Sequence, residues 1–192
     1  MLRGPAIPEL KDVADDALTA DDGPWRMCRS DETEFAGLLF LLPLIDELAI
    51  IAEIGADPQL NQRPLRWWLN QLARRWVSGD DPVVCTFCGL LPNDDWPWQE
   101  EPPIDESERQ VIEQWSQRLI DCLHKRLMWP PMADERLIDR VIRRHARIEA
   151  EPGWFVILFS LGQISTDIRR AALDLDPGYL PWLGVVVTFR YE

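Results

Sequence analysis

Residues 154–192 constrain the fold most, because apolar runs and turn residues follow one consistent pattern there. Residues 154–161 form a nearly unbroken apolar run, which is too short for a typical independent helix and typical of a buried strand. Residues 185–191 begin with consecutive valines and then alternate polar and aromatic side chains, which predicts a second strand. Between them, residues 163–173 carry apolar side chains at helical spacing. The pattern predicts a helix that crosses between two strands.

Most of the chain before residue 143 is predicted to be helical. Residues 35–54 are apolar nearly all round, which predicts a core helix that Pro43 kinks or splits. Residues 30–34 combine a capping residue with acids, so this helix is expected to begin there. Ser107 is the predicted cap of a later helix. Further helices are predicted at residues 64–77, 83–91 and 106–127, and residues 134–142 are predicted to form one more helix or a turn.

These elements predict an α+β fold, with an N-terminal helical bundle followed by a small antiparallel sheet of about three strands with one crossing helix. The helical region would cover residues 33–142 and the sheet residues 143–192, where residues 143–149 supply the first strand. A chain of 192 residues fits one domain, so the two regions are expected to form a single compact unit.

Residues 1–32 predict a flexible acidic tail, because acids and prolines outnumber the apolar side chains that could anchor them. A short helix at residues 8–18 is the alternative, and such a segment could dock onto a partner. Its apolar side chains would share one face: Leu10, Val13, Ala14 and Ala17.

The stretch 92–108 is predicted to be an extended acidic loop, since it contains several prolines and no lysine or arginine. Trp96 and Trp98 lie within it and serve either to dock a protein partner or to cover the helical core. Asp94 and Asp95 are a carboxylate pair that a hydrolase could use, although the same spacing also fits solvated charge.

The formal net charge of −13 argues against nucleic acid and anionic membranes as partners, because both would be repelled. Residues 1–22 lack the apolar core of an export signal. With four cysteines and no such signal, the chain is expected to be cytoplasmic with reduced thiols.

Cys85 and Cys88 form the one motif with a named chemistry, because two thiolates at this spacing can hold zinc or act as a redox pair. A structural zinc site needs two more ligands, for which Cys122 and His124 are weak candidates. The alternative is that the cysteines are small buried hydrophobes. We predict no cofactor and assign no catalytic residue, since neither histidine is placed for proton transfer.

Residues 174–182 look like a functional motif, but their residue types are those that form a tight turn. We expect a rigid bracket, attached to the sheet by four side chains: Leu175, Tyr179, Leu180 and Trp182. Tyr179 and Trp182 join Trp96 and Trp98 as the candidate protein-interaction residues.

Two segments of the chain resemble proteins encoded with extracellular contractile injection systems, the phage-tail-like particles of bacteria. The segments are FAGLLFLLPLIDELAI, residues 35–50, and ISTDIRRAALDLDPGYLPWLGVVVTFRYE, residues 164–192. The resemblance implies a non-enzymatic structural or assembly role in such a particle, for example at a baseplate or cap, with protein partners and no cofactor. A cytoplasmic zinc or redox protein and a hydrolase remain the alternatives.

Overall fold

The computed structural model describes residues 28–97 and 99–192, which form a mixed α and β structure with seven α-helices and a five-stranded sheet. The strands are β1 (Arg29–Thr33), β2 (Ala146–Glu151), β3 (Trp154–Phe159), β4 (Gly178–Leu180) and β5 (Val185–Tyr191). The helices are α1 (Leu42–Glu47), α2 (Ile50–Ala56), α3 (Leu65–Arg74), α4 (Pro82–Phe87), α5 (Glu106–Leu127), α6 (Asp134–Ile142) and α7 (Thr166–Arg170). Short 3₁₀ turns occupy Ala36–Leu41, Leu60–Gln62 and Leu161–Gln163.

The sheet has the strand order β1-β2-β3-β5-β4, and β3 pairs with β5 in parallel while the other pairs are antiparallel. The prediction of about three antiparallel strands was therefore wrong in number and in direction. The pair is parallel because the connection between β3 and β5, which contains α7, returns the chain to the end of the sheet where β3 began. Strand β4 makes the last part of this return, since it runs antiparallel to β5. The two additional strands, β1 and β4, lie at the two edges of the described sheet.

Strand β1 replaces the helix start that was predicted at residues 30–34, and it also shortens the predicted tail of residues 1–32. It pairs with β2 from Arg29, opposite Ala150, to Thr33, opposite Ala146. The partner strand is more than one hundred residues away in sequence, so the local capping pattern could not reveal it. Residues 1–27 of the predicted tail, including the possible helix at 8–18, lie outside the described residues.

The apolar stretch 35–54 is divided into a 3₁₀ segment and two short helices instead of one long helix. Pro43 lies in the first turn of α1, where the missing N–H costs no hydrogen bond, so the predicted split falls at this proline. A second break falls at Ala49, whose φ of 58° is in the left-handed region.

The segment Ala36–Leu41, which we call the buried segment, lies at the centre of the core, and all six of its residues are buried. Its Phe40 ring lies 5.5 Å from the ring of Phe159 on β3 and 5.1 Å from that of Phe189 on β5. The helices and the inner face of the sheet therefore share a single core. The helices do not form a distinct N-terminal bundle as predicted, because their apolar faces need the sheet to complete their burial.

Helices α5 and α6 have the predicted bounds. The cap of α5 is Asp105 and not Ser107, because Asp105 and Glu108 form a reciprocal capping box. The crossing helix is shorter than predicted, since α7 covers Thr166–Arg170 only. Among the described residues, no helix combines the length and apolar character required to cross a membrane.

A substitution at Gly37 tests how closely the buried segment approaches α6. A Cβ at Gly37 would lie 2.2 Å from the carbonyl oxygen of Val141. We expect Gly37→Ala to lower the free energy of unfolding by about 2 kcal/mol or more, because two backbones would have to separate. Gly55→Ala is the control, since nothing lies within 4 Å of that position in α2, and it should stabilise the protein by roughly 0.5–1 kcal/mol. Urea unfolding measures both, and an unchanged Gly37→Ala variant would contradict the close approach.

Candidate functional site

Four of the predicted candidate residues lie at one cavity beside the acidic loop. Cys85, Asp94 and Trp96 line a cavity of about 380 Å³, together with Asp95 and Arg74. Trp96 is half-buried and packs against the core, which favours the predicted covering role for this side chain. Trp98, the other predicted docking tryptophan, lies outside the described residues.

The carboxylate of Asp94 holds the loop in place. It forms an ion pair of 2.6 Å with Arg29 of β1 and accepts a hydrogen bond from the backbone N–H of Leu91. The neighbouring Asp81 caps α4, and its carboxylate accepts a hydrogen bond of 2.6 Å from the hydroxyl of Thr33. These carboxylates therefore connect the helical region to strand β1. Asp95, the second member of the predicted hydrolase pair, is exposed.

The two cysteines of the Cys85 and Cys88 motif are both less acidic than an ordinary thiol. Burial raises the pKa of Cys85, and the nearby charge of Asp94 raises it further. Cys88 is fully buried, and this burial raises its pKa strongly. Reactive and zinc-binding cysteines act as thiolates, which a raised pKa disfavours. The surroundings of Cys88 are those of a small buried hydrophobe.

The structure does not place Cys122 and His124 beside that motif. Both lie on α5, and His124 Nε2 is 2.9 Å from the Asp134 carboxylate. The hydrogen bond from His124 is the main cause that lowers the pKa of Asp134, and a second one from Gln117 contributes. Within residues 28–97 and 99–192, no three histidine, cysteine or acidic side chains converge as a metal site would require.

A buried polar cluster lies where the parallel strands β3 and β5 end. Asp174, whose side chain is only 1% exposed, accepts a hydrogen bond from the Tyr191 hydroxyl at 2.9 Å and faces Arg169 at 3.2 Å. Burial is the main cause that raises the pKa of Tyr191 to about 12, and the Asp174 hydrogen bond adds to it. The Asp176 carboxylate accepts a hydrogen bond of 2.6 Å from the backbone N–H of Phe189. The cluster attaches the segment before β4 to the last strand.

The predicted bracket at residues 174–182 is therefore held mainly by its acids, and only in part by its apolar side chains. Leu180 is buried and Trp182 is half-buried, as the prediction requires. Leu175 and Tyr179 are 61% and 63% exposed, so these two do not attach the segment to the sheet. Trp182 has a buried indole nitrogen, which leaves it poorly placed to contact a partner, whereas Tyr179 is accessible.

The sheet exposes an apolar row on the face opposite the core. Strands alternate their side chains, so residues such as Phe155 and Val187 enter the core while their neighbours point outward. Trp154, Val186 and Tyr179 lie side by side across β3, β5 and β4, because Val186 is in register with both of the others. We call these three residues the outer row. Trp154 is 50% exposed and Tyr179 is 63% exposed.

The apolar character continues along β3 beyond the outer row. Val156 is half-buried, and Leu158 is only 8% exposed although it points away from the core. Leu158 lies in register between Arg147 on β2 and Arg190 on β5, so the long side chains of both arginines stand on the same face beside it. The outer face thus carries an apolar centre with charged side chains at its margin.

Tyr179 is the only member of the outer row that was predicted as an interaction residue. Trp154 and Val186 were assigned to buried strands, because an unbroken apolar run carries no alternation that distinguishes an inner from an outer face. The sequence did carry one signal for the outward orientation of Trp154. This signal is Glu151, whose polar side chain lies opposite Trp154 on β2. Since directly paired residues share a face, it marks the face of Trp154 as the outer one.

We compared the chain with models of protein families, with curated protein sequences and with solved structures, and none of the three comparisons finds a match. The surfaces of the chain itself are therefore the main evidence for its function.

Tyr191 predicts how stability falls at high pH. The folded state raises the pKa of Tyr191 from its ordinary value near 10 to about 12, so it holds the proton more tightly than the unfolded chain. This contribution is fully present below about pH 10 and is lost as the pH rises towards 12. We expect Tyr191→Phe to be less stable by about 1–2 kcal/mol at pH 8 and to show a shallower decline above pH 10.

Urea unfolding at intervals between pH 8 and pH 11.5 measures both effects. Tyr179→Phe is the matched control, because Tyr179 is the other tyrosine of the chain and is largely exposed. This variant should follow the wild-type curve. If Tyr191→Phe also follows it, the buried hydrogen bond to Asp174 does not contribute as described.

Proposed function

We propose that the protein is a non-enzymatic interaction protein that binds another protein through the outer face of its sheet. The outer row is the observation that supports this role most directly. Trp154 and Tyr179 are large, exposed aromatic side chains on a rigid sheet, and such side chains supply much of the binding energy at protein interfaces.

The composition of the outer face fits a protein surface better than a charged ligand. Its centre is apolar, whereas Arg147 and Glu149 carry opposite charges at the margin and lie 3.2 Å apart. An apolar centre with a polar margin is the common arrangement of protein interfaces. The partner is therefore expected to present an apolar patch with a mixed polar rim.

The resemblance to proteins of contractile injection systems suggests the setting for this binding. Residues 164–192, one of the two resembling segments, supply two of the three outer-row residues, Val186 and Tyr179. We therefore propose that the partner is a protein of such a particle or of its assembly pathway, encountered in the cytoplasm where the particle is assembled.

The alternatives based on chemistry receive less support from the geometry. Asp94 of the hydrolase hypothesis is paired with Arg29, and Cys88 of the zinc or redox hypothesis has a strongly raised pKa. Groups committed in this way need rearrangement before they can react or bind a metal, whereas the outer row needs none.

Co-sedimentation with assembled particles tests the proposal. We expect the wild-type chain to sediment with the particles, and Trp154→Gln combined with Tyr179→Ser to weaken binding by at least 10-fold, as the loss of two interface aromatics would. Met128→Gln is the control, because Met128 is a largely exposed apolar residue at the end of α5, away from the sheet.

Two outcomes would overturn the proposal in different ways. A wild-type chain that remains in the supernatant would remove the particle as the partner. A double variant that binds as tightly as the Met128→Gln control would remove the outer row as the binding site.

A further inference from the structure

We propose that the helices carry a second binding site, a groove between α5 and α6 that takes an arginine-containing segment of a protein partner. The groove is separate from the outer row, because it is lined by the helical region and by no residue of the sheet. The inference therefore goes beyond the proposed function and does not depend on it. With both surfaces, the chain can connect two proteins.

The groove has an apolar floor and the size of a side-chain site. It lies where the residues that follow α3 meet α5 and α6, and its volume is about 310 Å³. Sites for small molecules occupy roughly 300–1,000 Å³, so this groove suits one or two side chains of a partner. The floor consists of one aromatic and three branched side chains: Trp76, Ile120, Ile138 and Ile142.

The rim of the groove is acidic and calls for a basic partner. Glu135 is exposed and has no ion pair within the described part of the chain. The hydrogen bond from His124 lowers the pKa of Asp134, which keeps that carboxylate charged. An apolar floor with an acidic rim is complementary to a segment that carries both basic and apolar side chains. Four carboxylates and one guanidinium line the groove: Glu113, Asp134, Glu135, Asp139 and Arg75.

The contact between Arg75 and Glu113 shows that the rim can hold a guanidinium. The Nε and Nη2 atoms of Arg75 donate to the two carboxylate oxygens of Glu113 at 3.0 Å and 3.1 Å, which is the bidentate geometry. Arg75 is 50% exposed and Glu113 is 58% exposed, so water reaches both side chains. A guanidinium from a partner can therefore replace that of Arg75 while α3 and α5 stay in place.

Trp76 offers an aromatic face to the same guanidinium. Its ring is half-buried, and it makes no ring contact or hydrogen bond within the residues that the structure describes. Elsewhere in the molecule, Arg63 lies 4.4 Å from the ring centre of Trp67. Arg140 lies 4.2 Å from that of Trp129. Arginine fits the groove better than lysine, because its planar group can pair with a carboxylate and stack on a ring.

Selection from random peptides displayed on phage tests the groove without a known partner. The library is bound to the wild-type chain and then depleted on the variant Glu135→Gln with Asp139→Asn, which removes peptides that bind elsewhere. We expect the remaining peptides to carry arginine beside apolar residues. Their synthetic versions should bind this variant more weakly than the wild type by roughly 10-fold or more, because the rim has lost two carboxylates.

The matched control is Asp95→Asn with Glu100→Gln. It changes the net charge by the same amount, and both residues are exposed in the acidic loop. The selected peptides should bind this control as tightly as the wild type. An empty selection, or selected peptides that lack arginine, would overturn the inference. Equal weakening by the two variants would also overturn it, because it would show a general attraction to negative charge.

Fluorine NMR locates the bound peptide. The chain is labelled with fluorotryptophan, and the signal of Trp76 is identified as the one that is missing from Trp76→Phe. A selected peptide should shift this signal and leave that of Trp154, assigned in the same way, unchanged. A shift of the Trp154 signal without one of Trp76 would overturn the groove as the site. The proposed function is tested by particle binding, so it would survive that result.

Discussion

The burial of residues 36–41 between the sheet and the helices is the constraint on which the rest of the structure depends. Phe40 meets aromatic rings from both parallel strands, and Gly37 lies against the backbone of α6. A backbone approach this close leaves no room for a side chain, so α6 and the sheet can take only one position relative to the buried segment. The helices therefore belong to the same core as the strands.

This arrangement also determines which surface is available for binding. Because the described helices share their core with the inner face of the sheet, the opposite face is left to the outer row and its charged margin. The cluster of Asp174, Tyr191 and Arg169 fixes the segment that leads into β4, the strand that carries Tyr179. The polar groups of the molecule thus hold its fold together, while an apolar face offers the most direct route to recognition.

The elements that the sequence predicted well are those with a strong local signal. Helix α5 has a long apolar stripe and a capping box, and the strands β3 and β5 are short runs of branched and aromatic residues. The strands that were not predicted from the sequence are β1 and β4, which are short edge strands with little apolar character of their own. Strand β1 forms because β2, which lies far away in the sequence, offers free hydrogen-bonding groups, and no local pattern reports such a partner. Strand β4 pairs with β5, which follows it closely in the sequence, but it has only three residues and carries no strand pattern of its own.

The candidate site likewise combines features that the local sequence predicts with features that depend on tertiary contacts. The sequence alone determined the apolar runs, the acidic loop and the crossing connection, since these depend on side-chain chemistry and on spacing along the chain. Only the tertiary structure decided that Trp154 and Val186 face outward, that Cys88 is buried and that Asp94 pairs with Arg29. Those outcomes depend on which sheet face the helices cover and on contacts between residues far apart in sequence, and neither is encoded in any local window of the chain.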